Sequence, residues 1–285
     1  MLLPALVYVL IFCYGPMYGL QIAFRDYKAV LGFHGSKWVG MKHFISFFNS
    51  YNFWTLMRNT FSISVYSLIA GFPIPILLAL VLNEVDNERC RKTMQTILYA
   101  PHFISTVVLV GMINTMFSPS IGVVNTVREF LMLERIYYTS LPGAFIHLYV
   151  WSGVWQGMGW SAIIYISALS GVDPALHEAA TIDGASRFQR LIYINLPTIQ
   201  PTVTILLIMS VGRLASVGYE KIYLMQNDLN VEVSEVISTY VYKRGIQNTN
   251  YSFSTAVGVF NNVINVILLL LANGVSRRVS QTSLF

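Results

Sequence analysis

The chain has 285 residues, of which 55% are hydrophobic and only 11% are Asp, Glu, Lys or Arg, where a soluble domain carries about a quarter charged residues. The net charge of +5 is spread without any Lys/Arg-rich run, so composition excludes a nucleic-acid partner. Two cysteines, Cys13 and Cys90, are too few for a disulfide framework.

The charges leave six long gaps: 1–24, 59–83, 93–127, 136–172, 191–212 and 245–276. An apolar helix of about 20 residues crosses a bilayer. Six such gaps therefore predict an all-α integral membrane protein with six spans. A β-barrel is excluded, because its strands alternate apolar and polar residues in segments of about ten.

The first span is expected at about 2–24. It has no basic residue before Arg25 and is interrupted by Tyr14-Gly15-Pro16. That pattern reads as a retained span rather than a signal peptide, with room for an upstream tail outside this sequence. Residues 25–54 follow as an exposed loop carrying Trp38, so 1–54 forms the first unit, 55–275 the transmembrane core and 276–285 a tail. The second span, about 57–83, holds Gly71-Phe72-Pro73-Ile74-Pro75. Its two missing donors predict a kink or break, tolerable only where protein or water rescues the freed carbonyls. A charged turn at 84–95 leads to a third span at about 96–117, with Pro101 near its start. A mixed loop, 118–141, holds a short helix at 123–133. The fourth span, about 143–170, carries Trp151, Trp155 and Trp160. The fifth is expected at about 201–223, running past Arg213, and the sixth at about 254–275. Lys and Arg number seven in loops on one side and eight on the other, so charge bias assigns no orientation.

The segment 171–200, GVDPALHEAATIDGASRFQRLIYINLPTIQ, is polar and long for a connection between spans. Asp173 is a good N-cap and Pro174 suits the first helical position. Gly184 takes the left-handed conformation that ends a helix. A second helix over 186–194 presents Phe188, Leu191 and Ile192 on one face, and Leu196-Pro197 is expected to stop it. The prediction is a helix-turn-helix at the membrane surface, with small Ala179 and Ala180 admitting another backbone and Glu178 placed to meet a cation.

Glu178-Ala179-Ala180, three residues, Gly184, nine residues, Ile194, one residue and Leu196-Pro197 resemble, at every position, the EAA signature of permease subunits of binding-protein-dependent ABC importers. The resemblance implies the type I importer transmembrane fold, with six helices and a cytoplasmic coupling helix between the fourth and fifth. Glu178 would pair with a basic residue of a separate ATPase, Ala179 and Ala180 would pack in its groove, and Gly184 would make the turn. Asp183, Arg187, Leu196 and Pro197 complete the coupling set. Both termini would be cytoplasmic and the protein multi-pass in a bacterial inner membrane. The implied partners are a second, distinct permease, two ATPase subunits that use ATP and Mg, an external solute-binding protein and membrane lipid. This chain would bind no cofactor or metal and would not itself be an enzyme.

Further segments are similar to sugar permeases: Trp38-Val39-Gly40-Met41-Lys42-His43-Phe44, Leu98-Tyr99-Ala100-Pro101-His102-Phe103-Ile104-Ser105, and Ser118-Pro119-Ser120-Ile121-Gly122-Val123-Val124-Asn125. They resemble the LplB-like oligosaccharide branch and imply a carbohydrate substrate, with uronate oligosaccharides such as alginate fragments as a candidate.

A sugar path needs polar groups for hydroxyls and flat aromatic faces for pyranose rings. Trp151 and Trp155 share a helical face, with Gln156 adjacent, and Asn261 and Asn265 do the same on the sixth span. Packing against lipid or neighbouring helices for the Trp pair, and helix-to-helix bonds for the Asn pair, explain the same spacing. Arg213 is an intramembrane cation. It faces a path for an anionic sugar, pairs with a carboxylate, or snorkels outward. His102 and His147 have no ligand cluster beside them and read as structural.

A secondary transporter would instead need an intramembrane carboxylate and internal repeats. The six gaps contain no acidic residue and no repeat is evident. A membrane enzyme would need a catalytic cluster at recognisable spacing, which is missing, as is a phosphate-binding loop.

Overall fold

The computed structural model describes residues 2–279 and Leu284. It is helical throughout, apart from a two-residue antiparallel ribbon that pairs Arg25 with Trp38 and Asp26 with Lys37. Four described helices are long and apolar enough to cross a membrane: Leu3–Phe24, Phe53–Asn83, Arg187–Val211 and Tyr251–Arg278. A bent pair, Glu88–Phe103 and Thr106–Met116, makes a fifth if counted as one span. The helix Pro142–Leu169 has 28 residues and no charge, which is about 42 Å of helix. Its sequence is rich in Gly, Ser, Trp and Tyr, and it is not among those four.

This central helix organises the molecule. It packs against Phe53–Gly71, Pro73–Asn83, Glu88–Tyr99, Leu196–Val211 and Tyr219–Met225. One core cluster joins its Phe145 to Ile63, Leu109, Ile113, Ile222 and Val236. A second joins Ala162, Tyr165 and Leu169 to Ala79, Leu80 and Ile199. The closest approach is at Gly159, where a Cβ would overlap the carbonyl of Leu98, so only glycine lets the two backbones meet. The last helix, Tyr251–Val279, packs on Lys42–Phe48 and on Gly15–Phe24. From Leu3 to Tyr14 the first helix is exposed at every residue.

Several expectations need correction. Residues 84–95 are not a turn throughout: Asn87 caps a helix from Glu88, accepting the Cys90 N–H at 3.1 Å, and a Glu88–Lys92 bridge spans its first turn at 2.7 Å. The third span is not continuous. Pro101 opens a 3-10 turn, Ser105 caps a new helix from Thr106, and the two parts meet at 95°. The second helix, by contrast, bends at Phe72 without breaking, because Pro73 begins the next helical segment, where its missing donor is not needed.

The fifth helix is displaced. It starts at Arg187, runs through Leu196-Pro197 and ends at Val211, so Pro197 does not stop it and Arg213 lies beyond its end. A π turn over Leu191–Asn195 carries the backbone to Leu196, whose N–H bonds to the Leu191 carbonyl. Pro197 follows where the two hydrogen-bond ladders meet, the place that tolerates a lost donor. Residues 212–218 then form a turn held by Asn265, which accepts the Ala215 N–H at 3.0 Å and donates to Ser216 Oγ at 2.7 Å.

The segments 230–243 are pinned by side-chain amides. Asn59 donates to the carbonyls of Glu232 and Glu235 at 2.8 and 3.0 Å. Asn230, fully buried, donates to the carbonyls of Thr139 and Met225, both at 3.0 Å. In the ribbon region, Lys42 bonds Asp26 at 2.8 Å and holds its carboxyl below the ordinary range.

The Gly159 contact gives a direct test. Gly159→Ala is expected to cost about 1–3 kcal/mol, the usual range for overpacking, seen as a lowered Tm of the detergent-solubilised protein. An unchanged Tm would show that the central helix and the Leu98 backbone do not meet as described.

Candidate functional site: a surface loop and an interhelical path

The loop after the central helix is built by local capping. Asp173 accepts the Ala175 N–H at 2.9 Å, and Pro174–Ile182 is helical. The turn closes with Gly184 at φ +78°, the Ala185 N–H bonding back to the Ala180 carbonyl at 2.9 Å. A side chain at that φ would be strained. Ser186 then caps the next helix: its N–H donates to Gln189 Oε1 at 2.7 Å and its Oγ accepts the Gln189 N–H at 3.3 Å. That capping box fixes the second helix where the sequence places it.

Three contacts tie this hairpin together and to the end of the bundle. Arg190 reaches Thr181 Oγ1 at 2.7 Å, Arg187 pairs with Asp86 at 2.8 Å, and the buried Asn195 donates to Glu84 at 3.3 Å. The Arg187–Asp86 pair is exposed on both sides, so it orients more than it stabilises.

Most of the signature residues lie on an accessible surface. Glu178, Ala179, Asp183 and Gly184 are exposed and Ala180 is half-buried. None of the ion pairs among the described residues involves Glu178. Beside them Ile182 and Phe188 are 86% and 70% exposed. Leu196 is partly exposed and Pro197 sits at the root of the long helix.

The path residues are not brought to one place. Trp151 donates its Nε1–H to Tyr66 Oη at 3.0 Å, and Tyr66 in turn meets His147 Nδ1 at 2.9 Å. Trp155 is 40% exposed. Gln156 donates to the Ile104 carbonyl at 2.7 Å, so its amide serves the break in the third span, and it also lines a cavity of about 320 Å³. Arg213 lines another, of about 260 Å³. Asn261 lines a separate cavity of about 510 Å³ with Gly258 and Tyr242, and its Oδ1 is buried with no partner among the described residues. Asn265 is committed to the 212–218 turn. His102 stacks on Trp160 with ring centres 4.4 Å apart.

The residue that sequence reasoning missed is Lys221, half-buried against Tyr149 in the same cavity as Gln156. A signal for it exists: Lys221 is a second basic residue inside 201–223.

A model of the binding-protein-dependent transport system inner membrane component matches residues 71–281, which include the whole capped loop. The chain belongs to that family. It is 41% identical over 285 residues to the Bacillus subtilis polygalacturonan/rhamnogalacturonan transport system permease protein YteP, covering all of this chain and 89% of that one. Protein LplB of the same organism is also 41% identical, covering all of this chain and 90% of its own length. Among solved structures, a bacterial ABC transporter involved in importing the acidic polysaccharide alginate is 42% identical. It covers 98% of this chain and 94% of its own at a TM-score of 0.90. A bacterial alginate ABC transporter in complex with an alginate pentasaccharide-bound periplasmic protein gives a TM-score of 0.91 at 42% identity, covering 100% and 95%.

Gln156→Leu conserves bulk but leaves the Ile104 carbonyl without its donor, which should cost about 1–3 kcal/mol. The expected result is a lower Tm and faster hydrogen exchange at the break around 100–108. Unchanged exchange there would mean that the amide does not hold it.

Proposed function

We infer that this chain is the permease subunit of an ATP-driven importer of oligosaccharides. The observation that carries this reading is the capped hairpin at 174–197, which holds the signature residues at the family's spacing with Glu178, Ala179 and Gly184 exposed. The full architecture has six spans: the four long apolar helices, the bent pair and the central helix. Both termini and the hairpin lie on the cytoplasmic side of a bacterial inner membrane.

In this reading the hairpin is the coupling helix. Glu178 carries a solvent-exposed carboxylate free to meet a cation of the ATPase. Ala179 and Ala180 allow close approach, and Ile182 and Phe188 supply apolar surface. Asp183 and Gly184 shape the turn, Arg187 anchors it to Asp86, and Leu196-Pro197 joins it to the fifth helix. ATP and Mg act in two partner ATPase subunits, and this chain moves the solute without catalysing a reaction. A second permease completes the path, and an external binding protein delivers the sugar to the outer loops 25–54, 118–141 and 224–253. Trp151, Trp155, Gln156, Arg213, Asn261 and Asn265 are the path candidates. Gln156, Arg213 and Asn261 have the stronger support, since each lines a cavity. Sugar import is supported by the relatives' substrates, and uronate polymers such as alginate are the proposed source of the oligosaccharide. A secondary, ion-coupled transporter is disfavoured by the absence of acidic residues from the six charge-free stretches.

Glu178→Lys inverts the exposed charge, and Gly184→Pro forbids the positive φ of the turn. Glu178→Lys is expected to lower sugar uptake at least about tenfold, the effect of losing one charge-assisted contact, and Gly184→Pro to lower it by distorting the turn, while both proteins still insert. Membrane-inserted variants with normal uptake and normal ligand-stimulated ATP hydrolysis would overturn the coupling role.

A further inference from the structure

Three cavities adjoin between the second helix, the central helix and the turn at 212–218. Their volumes are about 320, 290 and 260 Å³, and Ser67 lines all three. Tyr149 is shared by the first and third. Between them the walls offer hydroxyls, the Gln156 amide, Trp160 and two cations, Lys221 and Arg213. No Asp or Glu lines any of the three.

Both cations lack a carboxylate partner among the described ion pairs. Lys221 is fixed in place: its Nζ donates to the Tyr149 carbonyl at 2.8 Å and lies 4.8 Å from the Tyr149 ring centre. Gly153 leaves room for it, since a Cβ there would come within 3.2 Å of Nζ. The carbonyl takes one of the three ammonium protons, and the others remain available to the cavity. Arg213 stands eight residues earlier, on the turn that Asn265 holds in place.

A half-buried ammonium with no counter-ion is costly unless an anion or water meets it. A path for neutral sugars alone would need hydroxyl and amide groups and would gain nothing from two cations. Two positive charges set among hydroxyls, that of Lys221 held by the Tyr149 carbonyl, complement a solute that carries both carboxylates and many OH groups. We propose that Lys221 and Arg213 together recognise the carboxylates of an acidic, uronate-type oligosaccharide as it passes, and so set this chain's preference for acidic over neutral sugars. This rests on the permease reading above and adds to it the residues that read charge.

The test uses the complete transporter, with both permeases, the ATPase subunits and the binding protein, in proteoliposomes. Uptake is measured for an oligogalacturonate and for its carboxyl-reduced, neutral counterpart. Wild type should favour the acidic sugar. Lys221→Gln and Arg213→Gln should each lower its uptake by about tenfold, one charge-assisted hydrogen bond's worth, and Lys221→Arg should keep most of it. Arg213 is exposed and unpaired among the described ion pairs, so Arg213→Gln decides the matter if Lys221→Gln fails to assemble. Wild-type uptake of the acidic sugar in the Gln variants would overturn the proposal. So would equal losses in Lys221→Gln and Lys221→Arg, which mark a merely structural lysine, or a wild type that carries the neutral sugar as well as the acidic one. A wild-type complex that hydrolyses ATP yet moves neither sugar would instead sink the oligosaccharide reading on which the proposal stands.

Discussion

Every break in a helix frees backbone groups, and in a membrane those groups need a partner within the protein. This constraint explains where the polar side chains of so apolar a chain are placed. At the break near Ile104 the donor is Gln156; at the turn after Val211 the partner is Asn265. Asn59 and Asn230 serve the irregular segment before the last helix. Lys221 differs, since the Tyr149 carbonyl that it meets lies inside the unbroken central helix. The amides that a sugar path also needs are thus partly engaged in holding the bundle together. Gln156 shows the overlap, bonding to a backbone carbonyl and facing a cavity at once.

The central helix makes this arrangement compact. Gly159 lets the Leu98 backbone approach more closely than any side chain would allow, so the bent third segment lies directly on the central helix. Its N-terminal half supplies Phe145 and Tyr149 to one cluster and cavity, and its C-terminal half supplies Ala162 and Leu169 to another. The capped hairpin begins shortly after its last residue, Leu169. Cavity walls and surface loop are therefore two ends of one rigid element.

Much of this was legible in the sequence, and the failures have physical causes. The absence of charge located the central and last helices to within a few residues, because long apolar runs leave few alternatives. The hairpin at 174–197 was legible for a different reason: Asp173, Pro174, Gly184 and Ser186 each perform a local capping task that needs no tertiary context. The bend at 104–105 was not, since it depends on Gln156, 52 residues away. The end of the fifth helix was misplaced because counting apolar residues does not reveal that Asn265 binds the chain at Ala215. Pro197 was misread because a π turn preceding it absorbs the missing donor. Lys221 stood in a stretch already assigned to a span, and its significance rests on the Tyr149 carbonyl and the cavity, which only the folded chain supplies.

The unbroken run from Arg187 to Val211 has a geometric consequence. Its 25 residues make a rod about 37 Å long at 1.5 Å per residue. With no loop between hairpin and helix, a lateral push at Arg187 has little slack in which to dissipate. A shift of about 5 Å at that end, held at the other, tilts such a rod by about 8°. Five residues before Val211, Leu206 borders one of the cavities, so the same tilt carries it sideways by about 1 Å and changes the width of the space between helices.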